Sequence, residues 1–115
     1  METILIVDDE KNYLIVLSAF LSGEGYETLT AASGADALDT LEAADLDLVL
    51  TDMKMPKMDG IEFLKEIKKK NPDLPVVVMT AYGTVEKAVE AMQLGAFNFI
   101  QKPFKNETLK QMIDK

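Results

Sequence analysis

The sequence predicts a single α/β domain that is doubly wound around a parallel sheet. Five short strand-like runs alternate with five segments whose apolar residues recur at helical spacing. Three of the runs are apolar throughout, as strands buried on both faces are, and two carry polar residues. The chain has 115 residues, 48% of them hydrophobic, which is enough for one core. We therefore treat residues 1–115 as one domain.

The first half of the chain contains three strands and two helices. Two of the strands are continuous runs of apolar residues, and the third alternates polar and apolar side chains, which is typical of an edge strand. In the helices, leucines recur three or four residues apart, and Gly23 and Gly25 end the first one. The predicted elements are β1 (4–7), α1 (11–24), β2 (27–31), α2 (34–43) and β3 (48–51).

The second half begins with a helix and a strand. The helix, α3, presents Ile61, Leu64 and Ile67 on one side. Residues 71–72, an Asn-Pro pair, stop it. Residues 75–80 are the most strand-like run of the whole sequence and form β4.

A helix, a strand and a last helix complete the chain. In α4 we expect Thr84 as the N-cap and Gly95 as a left-handed residue after the end. Residues 97–100 are a short aromatic strand, β5, and the last helix, α5, follows it. The predicted apolar faces are Val85, Ala88, Val89 and Met92, all inward, in α4, and Leu109, Met112 and Ile113 in α5.

The polarity of the strands predicts their order in the sheet. The order 2-1-3-4-5 of flavodoxin-like folds puts the apolar strands in the centre and the polar ones at the edges. Its topological switch falls between β1 and β3, where ligands bind outside the carboxyl ends of the strands. Asp8 and Asp9 follow β1 and Asp52 follows β3, so the three carboxylates should converge. Thr80 and Lys102, at the ends of β4 and β5, belong to the same edge.

Composition excludes several classes of site. His and Cys are absent, which excludes disulfides, thiolate or imidazole catalysis and zinc sites built from those ligands. The net charge is −8, so we expect no direct contact with nucleic acid. No apolar run reaches membrane-spanning length, and residues 1–3 run directly into a strand. We expect no membrane contact, no signal peptide and a cytoplasmic protein.

Converging carboxylates indicate a cation and phosphoryl chemistry. Two carboxylates about 4 Å apart repel by roughly 4 kcal/mol near a protein surface, so three require a counter-ion. Oxygen ligands favour Mg²⁺ or a similar divalent ion such as Mn²⁺. The Thr80 hydroxyl and the Lys102 ammonium would complete a phosphate-binding site. Asp52 would be the nucleophile that forms an aspartyl-phosphate.

Several landmarks occur in order along the chain: Asp8-Asp9, Asp52, Met55-Pro56, Asp59-Gly60, Thr80-Ala81 and Lys102-Pro103. They resemble the landmarks of the receiver domain of bacterial two-component response regulators, and the resemblance covers residues 4–113. Residues 81–104 are most similar to the receivers of nitrogen-regulation activators, which drive sigma-54 promoters.

The resemblance implies a role for each site residue. Asp52 would accept a phosphoryl group from a sensor histidine kinase or a small phosphodonor. Asp9 and Asp52 would bind Mg²⁺ directly, Asp8 would act through water, and the Lys54 carbonyl would be a further ligand. Two more positions, Thr80 and Lys102, would bind the phosphoryl oxygens.

The resemblance also implies a switch. Phe99 would change rotamer as Thr80 moves toward the phosphoryl group, while Lys54 and Tyr82 would tune the lifetime of that group. The peptide bond before Pro103 would be cis. Phosphorylation would remodel the α4-β5-α5 face, and either this face or α4-β5 would serve as the homodimer interface. The domain would then control an ATPase and DNA-binding effector beyond Lys115, acting as a switch and not as a turnover enzyme.

Other interpretations remain open from the sequence alone. Asp8 and Asp9 are also typical of a helix start, and Thr80 and Lys102 of ordinary strand ends and turns. A haloacid-dehalogenase-type phosphatase needs a second acid two residues after Asp52, where Lys54 stands. A flavin-mononucleotide-binding protein needs a phosphate loop after β1, where acids would repel phosphate. A stand-alone or degenerate receiver that serves as an interaction module is the remaining alternative.

Overall fold

The computed structural model describes residues 2–55, 58, 60–80 and 85–114, with the backbone alone described for Val85. Five strands and five helices alternate along it, as predicted. None of the helices within the described residues is long and apolar enough to cross a membrane. The strands β1 to β5 are Thr3–Val7, Glu27–Ala31, Leu48–Asp52, Val76–Thr80 and Asn98–Gln101, and the helices α1 to α5 are Lys11–Gly23, Gly34–Ala43, Gly60–Lys70, Val85–Gln93 and Asn106–Ile113.

The five strands form one parallel sheet in the order β2-β1-β3-β4-β5. This confirms the predicted flavodoxin-like fold and its strand order. Because neighbouring strands run in the same direction, their carboxyl ends share one edge of the sheet. The strand register aligns Val7 with Thr51, and Thr80 with Gln101, at this edge. All the strand ends that carry predicted site residues therefore meet there.

Two hydrophobic cores, one on each face of the sheet, explain the apolar central strands. Successive strand residues point to opposite faces. Leu5 of β1 accordingly packs in a core with residues of α2 and α3, while its neighbour Ile6 packs in the other core with residues of α1 and α5. Both faces of β1, β3 and β4 are therefore covered, whereas β2 and β5 keep exposed positions at the sheet edges.

The strand bounds differ from the predicted ones by one residue at several ends. The fourth strand begins at Val76 because Pro75 has no N–H to donate to the ladder, although its carbonyl accepts a hydrogen bond from Val49. The third strand extends to Asp52, since the next N–H, that of Met53, still donates to β4. The candidate nucleophile is thus held by strand pairing.

The inward face predicted for α4 is partly wrong. Ala88 and Ala91 are buried, but Val89 is 50% exposed and Met92 is 39% exposed. Both sets of residues recur at helical spacing, so periodicity alone does not distinguish them. Small side chains on the inner side let α4 lie close to the sheet, and this leaves the larger ones in solvent. The predicted cap Thr84 lies outside the described residues.

Glycines end two of the helices as predicted. Gly25, beyond α1, and Gly95, beyond α4, have φ values of 96° and 105°. These angles lie in the left-handed region, which glycine adopts without steric cost.

Gly60 allows α3 to begin directly against the end of β3. Its N–H donates to the Met53 carbonyl at 2.7 Å. A Cβ at this position would lie 2.7 Å from Met53 Cα and 2.8 Å from the Asp52 carbonyl oxygen. Both of these atoms belong to the backbone, so a side chain would have to push the strand end away.

We therefore predict that Gly60→Ala lowers the free energy of unfolding by about 1–3 kcal/mol, the usual cost of overpacking. Gly23→Ala is the matched control, because nothing lies within 4 Å of the Cβ it would add. The control should be neutral or stabilising by up to about 1 kcal/mol, since alanine favours the helix. Urea denaturation measures both values, and equal losses would contradict this role of Gly60.

Candidate functional site

Three carboxylates converge at the carboxyl edge of the sheet. Asp8 follows β1 and Asp52 ends the neighbouring β3, so strand pairing sets them side by side. Asp9 comes next in the bend before α1. One oxygen of each carboxylate lies within 4.8 Å of one oxygen of the others. Asp8 and Asp52 are buried whereas Asp9 is exposed, so solvent reaches the cluster from the Asp9 side.

The Lys102 ammonium lies between the two buried carboxylates. Its Nζ donates a hydrogen bond to Asp8 Oδ2 at 2.7 Å and lies 3.4 Å from Asp52 Oδ1. The backbone N–H of Lys102 donates to the Thr80 carbonyl at 2.7 Å, which ties the end of β5 to the end of β4. The Lys102–Pro103 peptide bond is cis, as the resemblance predicts. The buried Lys102 ammonium therefore lies beside both of the buried acids.

Asp8 is engaged on both of its oxygens. Oδ1 accepts a hydrogen bond from the Glu10 N–H at 2.9 Å, and Oδ2 accepts the one from Lys102. The contact to Glu10, just before α1, is the local contact expected of an acid at a helix start. The contact to Lys102 is not explained by a helix-start role. Asp9, the exposed member of the cluster, is the acid that a cation from solvent meets first.

Burial and charge set the protonation of the site. The pKa of Asp52 is raised from 3.8 to about 6, first because burial removes water from the carboxylate and then because Asp8 repels it; Lys102 opposes both effects. Burial alone would lower the pKa of Lys102, but its hydrogen bond with Asp8 and the charges of both acids raise it overall. At neutral pH, Asp52 is therefore largely ionised and Lys102 is charged.

Thr80 and Lys54 lie next to Asp52 in the fold. Thr80 is buried at the end of β4, one residue beyond Met79, which the register pairs with Asp52. The backbone N–H of Lys54 hydrogen bonds to the Asp52 carboxylate and lowers its pKa, while the Lys54 side chain is exposed. The structure thus brings both residues to the acid cluster.

The predicted switch and tuning residues have different placements. Phe99 lies on β5 and is 36% exposed. Pro103 is exposed directly after Lys102. Tyr82 lies outside the described residues.

One residue of the site, Tyr13, was not predicted from the sequence. The centroid of its ring lies 3.9 Å from Lys102 Nζ. A signal for it does exist in the sequence, because Tyr13 stands four residues after Asp9. Side chains in the first turn of a helix lean toward its N-terminus, which here is the carboxyl edge of the sheet.

A cavity of about 400 Å³ lies elsewhere, between the ends of α2 and α3. Its described lining includes Leu41, Glu42, Lys70 and Leu74, and none of the predicted site residues. These residues precede β3 and β4, so the cavity opens at the amino edge of the sheet. The chemistry of the domain is concentrated at the opposite edge, in the acid and lysine cluster.

Fold and site together define a doubly wound α/β domain with an acid and lysine cluster at the carboxyl edge of its sheet. The chain belongs to the response regulator receiver domain family, which matches residues 4–114. This confirms the predicted family. It also establishes that the domain is a component of two-component signalling by phosphotransfer.

Individual relatives agree with this assignment. The transcriptional regulatory protein ZraR of Escherichia coli (strain K12) is 46% identical over 112 residues, which are 97% of this chain and 25% of ZraR. The chain thus spans about a quarter of that relative's length. Sporulation initiation phosphotransferase F of Bacillus subtilis (strain 168) is 43% identical over 114 residues, 99% of this chain and 92% of the relative.

A solved structure shows the same fold. The receiver domain of NtrX from Brucella abortus has a TM-score of 0.93 and 40% identity, covering 96% of this chain and 94% of that one. Together with ZraR, it confirms the likeness to the nitrogen-regulation, sigma-54-dependent type.

We predict that Asp52→Asn stabilises the protein at pH 7 in metal-free buffer. A carboxyl whose pKa is raised by folding favours the folded state when protonated, so this stability is complete below pH 3.8 and is lost as the pH rises through about 6. Asparagine, which stays neutral, should therefore add about 1–3 kcal/mol to the free energy of unfolding at pH 7 and little at pH 4.

Urea denaturation with a chelator present measures this gain at the two pH values. Asp45→Asn, at an exposed acid before β3, is the matched control and should show no such pH-dependent gain. A native protein more stable than Asp52→Asn at pH 7 would contradict a repulsive carboxylate cluster.

Proposed function

We propose that the protein is a phosphorylation-operated switch in which Asp52 accepts a phosphoryl group from the phosphohistidine of a sensor histidine kinase. One observation carries the proposal. The Asp52 carboxylate ends a central strand, lies 3.4 Å from the Lys102 ammonium and belongs to a cluster with two further acids. A nucleophile, a cation for the phosphoryl oxygens and oxygen ligands for a metal ion thus occur together.

The acid cluster is suited to a divalent metal ion. Its donors are carboxylate oxygens, which Mg²⁺ and Mn²⁺ prefer. Asp9 and Asp52 would hold the ion directly with the Lys54 carbonyl, and Asp8, whose oxygens accept hydrogen bonds from Glu10 and Lys102, would act through water. The bound ion would neutralise charge on the phosphoryl oxygens.

Transfer requires positioning and charge neutralisation more than covalent chemistry by the protein. A carboxylate oxygen of Asp52 attacks the phosphorus while the P–N bond to the donor histidine breaks, and the leaving imidazole nitrogen takes a proton. The product is an acyl phosphate on Asp52. Lys102 and Thr80 then bind the oxygens of the transferred group. Attack by water on that phosphorus later returns the carboxylate, so the domain limits the lifetime of its own signal. In this mechanism the domain acts as a switch and not as a turnover enzyme.

The conformational response would pass from Thr80 to Phe99 and so to the α4-β5-α5 face. Lys54 and Tyr82 would set the phosphoryl lifetime by controlling access of water. The α4-β5-α5 face carries large apolar side chains in solvent, Val89, Met92 and Phe99, all at least 36% exposed. Such a surface is suited to a homodimer interface. Its rearrangement would transmit phosphorylation to a partner.

The effector is a separate part of the proposal. The chain spans 25% of ZraR, which is named a transcriptional regulatory protein. We propose that an ATPase and DNA-binding effector follows Lys115 in the full-length protein, and that the protein acts in the cytoplasm without direct nucleic-acid contact by this domain.

A stand-alone receiver is the second candidate. The relative named sporulation initiation phosphotransferase F is covered over 92% of its length by this chain. A domain of that size would transfer its phosphoryl group to another protein, or would bind another protein through its changed surface. Both candidates share the chemistry at Asp52, and they differ in whether the effector is part of the same chain.

The proposal predicts a covalent adduct on one residue. With Mg²⁺ and acetyl phosphate, the native protein should gain the mass of one phosphoryl group, because Asp52 is ionised and faces Lys102. Asp52→Asn should gain none, and the control Asp45→Asn should behave as the native protein does. Beryllofluoride should shift the amide signals of α4, β5 and α5 in the same two proteins and not in Asp52→Asn. An adduct on Asp52→Asn, or none on the native protein, would overturn the proposal.

A further inference from the structure

The Lys102 ammonium has a third neighbour beside its two carboxylates. The centroid of the Tyr13 ring lies 3.9 Å from Nζ, within the range of a cation–π interaction. Lys102 is 9% exposed, so little water competes for its charge. The ammonium is thus held by Asp8, by Asp52 and by the ring.

A second ring braces that of Tyr13. The Phe104 ring lies 6.3 Å away, centroid to centroid, with the two planes at 46°. Pairs at this separation and tilt are favourable for aromatic rings. Tyr13 belongs to the first turn of α1, and Phe104 follows Lys102 by two residues. Both pack against the core between α1, α5 and the sheet. The ring therefore has a fixed place between α1 and the chain that carries Lys102.

An aromatic face holds an ammonium differently from an oxygen. A carboxylate or carbonyl at this place would accept an N–H of Lys102 and so compete with an incoming phosphoryl oxygen. The ring attracts the charge without a lone pair directed at one N–H, and the attraction depends only weakly on how the ammonium rotates. Lys102 is thereby held at the site, while its N–H groups stay free to donate a hydrogen bond to a phosphoryl oxygen in place of Asp8.

We propose that Tyr13 is a positioning residue, which keeps the Lys102 ammonium directed at the place where the phosphoryl group on Asp52 is bound. This inference rests on the proposed function and adds a residue to its mechanism. The ring, and not the phenolic hydroxyl, carries the role, because the contact to Lys102 is made through the ring face.

Three substitutions separate this role from simple packing. Tyr13→Phe keeps the ring, Tyr13→Leu removes it, and Tyr26→Leu is a matched control. Tyr26, like Tyr13, is partly buried against the core between α1 and α5, but it lies before β2 at the amino edge of the sheet. Should Tyr13→Leu fail to fold, Tyr13→Met replaces it, since methionine has no ring and its flexible side chain fills irregular gaps in a core.

The first measurement is the initial rate of phosphorylation by acetyl phosphate in Mg²⁺ buffer. We expect the rate to fall on the order of ten-fold in Tyr13→Leu, because a cation–π interaction is removed from a desolvated site, and by less than about two-fold in Tyr13→Phe. Tyr26→Leu should keep the native rate. Native-like rates in Tyr13→Leu, or equal reductions in the Phe and Leu variants, would overturn the inference.

The second measurement is an NMR signature that needs no phosphorylation. The ε-methylene protons of Lys102 should be shifted upfield by the ring current in the native protein and in Tyr13→Phe, and should return to their ordinary position in Tyr13→Leu. Absence of the upfield shift in the native protein would overturn the inference even if phosphorylation occurs. A native protein that shows the shift and takes no phosphoryl group would instead overturn the proposed function, and with it the role of Tyr13.

Discussion

The contact on which the site depends is that of the Lys102 ammonium with two buried carboxylates. Three acids and one ammonium leave the cluster with two uncompensated negative charges. Burial makes the charges of Asp8 and Asp52 costly, because little water screens them. The raised pKa of Asp52, about 6, reflects that cost. A divalent cation at Asp9 and Asp52 would balance the remaining charge, and metal binding would then be linked to the fold and not to the phosphoryl group alone.

The strand order of the sheet brings the residues of this cluster together. Strand pairing places the end of β3 beside the end of β1, and the Lys102 N–H ties the end of β5 to that of β4. Two hydrophobic cores hold the strands from either side, so the acids cannot separate without disrupting packing. Stability supplied by the cores thus offsets the repulsion at the carboxyl edge. This is the usual relation between a rigid scaffold and a strained functional site.

Much of this arrangement could be predicted from the sequence. The continuous apolar runs of β1, β3 and β4 predict central strands, and the residues after them then share an edge by topology alone. The inner face of α4 could not be predicted, because Val89 and Ala88 both fit a helical period and only packing against the sheet decides between them. The position of Tyr13, four residues after Asp9, places it near the site but does not identify its contact. Its partner Lys102 is 89 residues away in the chain, and a cation–π contact leaves no periodic pattern.

The most direct test of the central claim is the Mg²⁺ dependence of stability at pH 7. If the cluster lacks two positive charges, added Mg²⁺ should raise the free energy of unfolding of the native protein, by about 2.7 kcal/mol when the free ion is 100 times its Kd. Asp9→Asn should lose most of this rise, because it removes the exposed ligand, while the control Asp45→Asn should keep it. No rise in the native protein, or an equal rise in Asp9→Asn, would contradict a charge-deficient cluster.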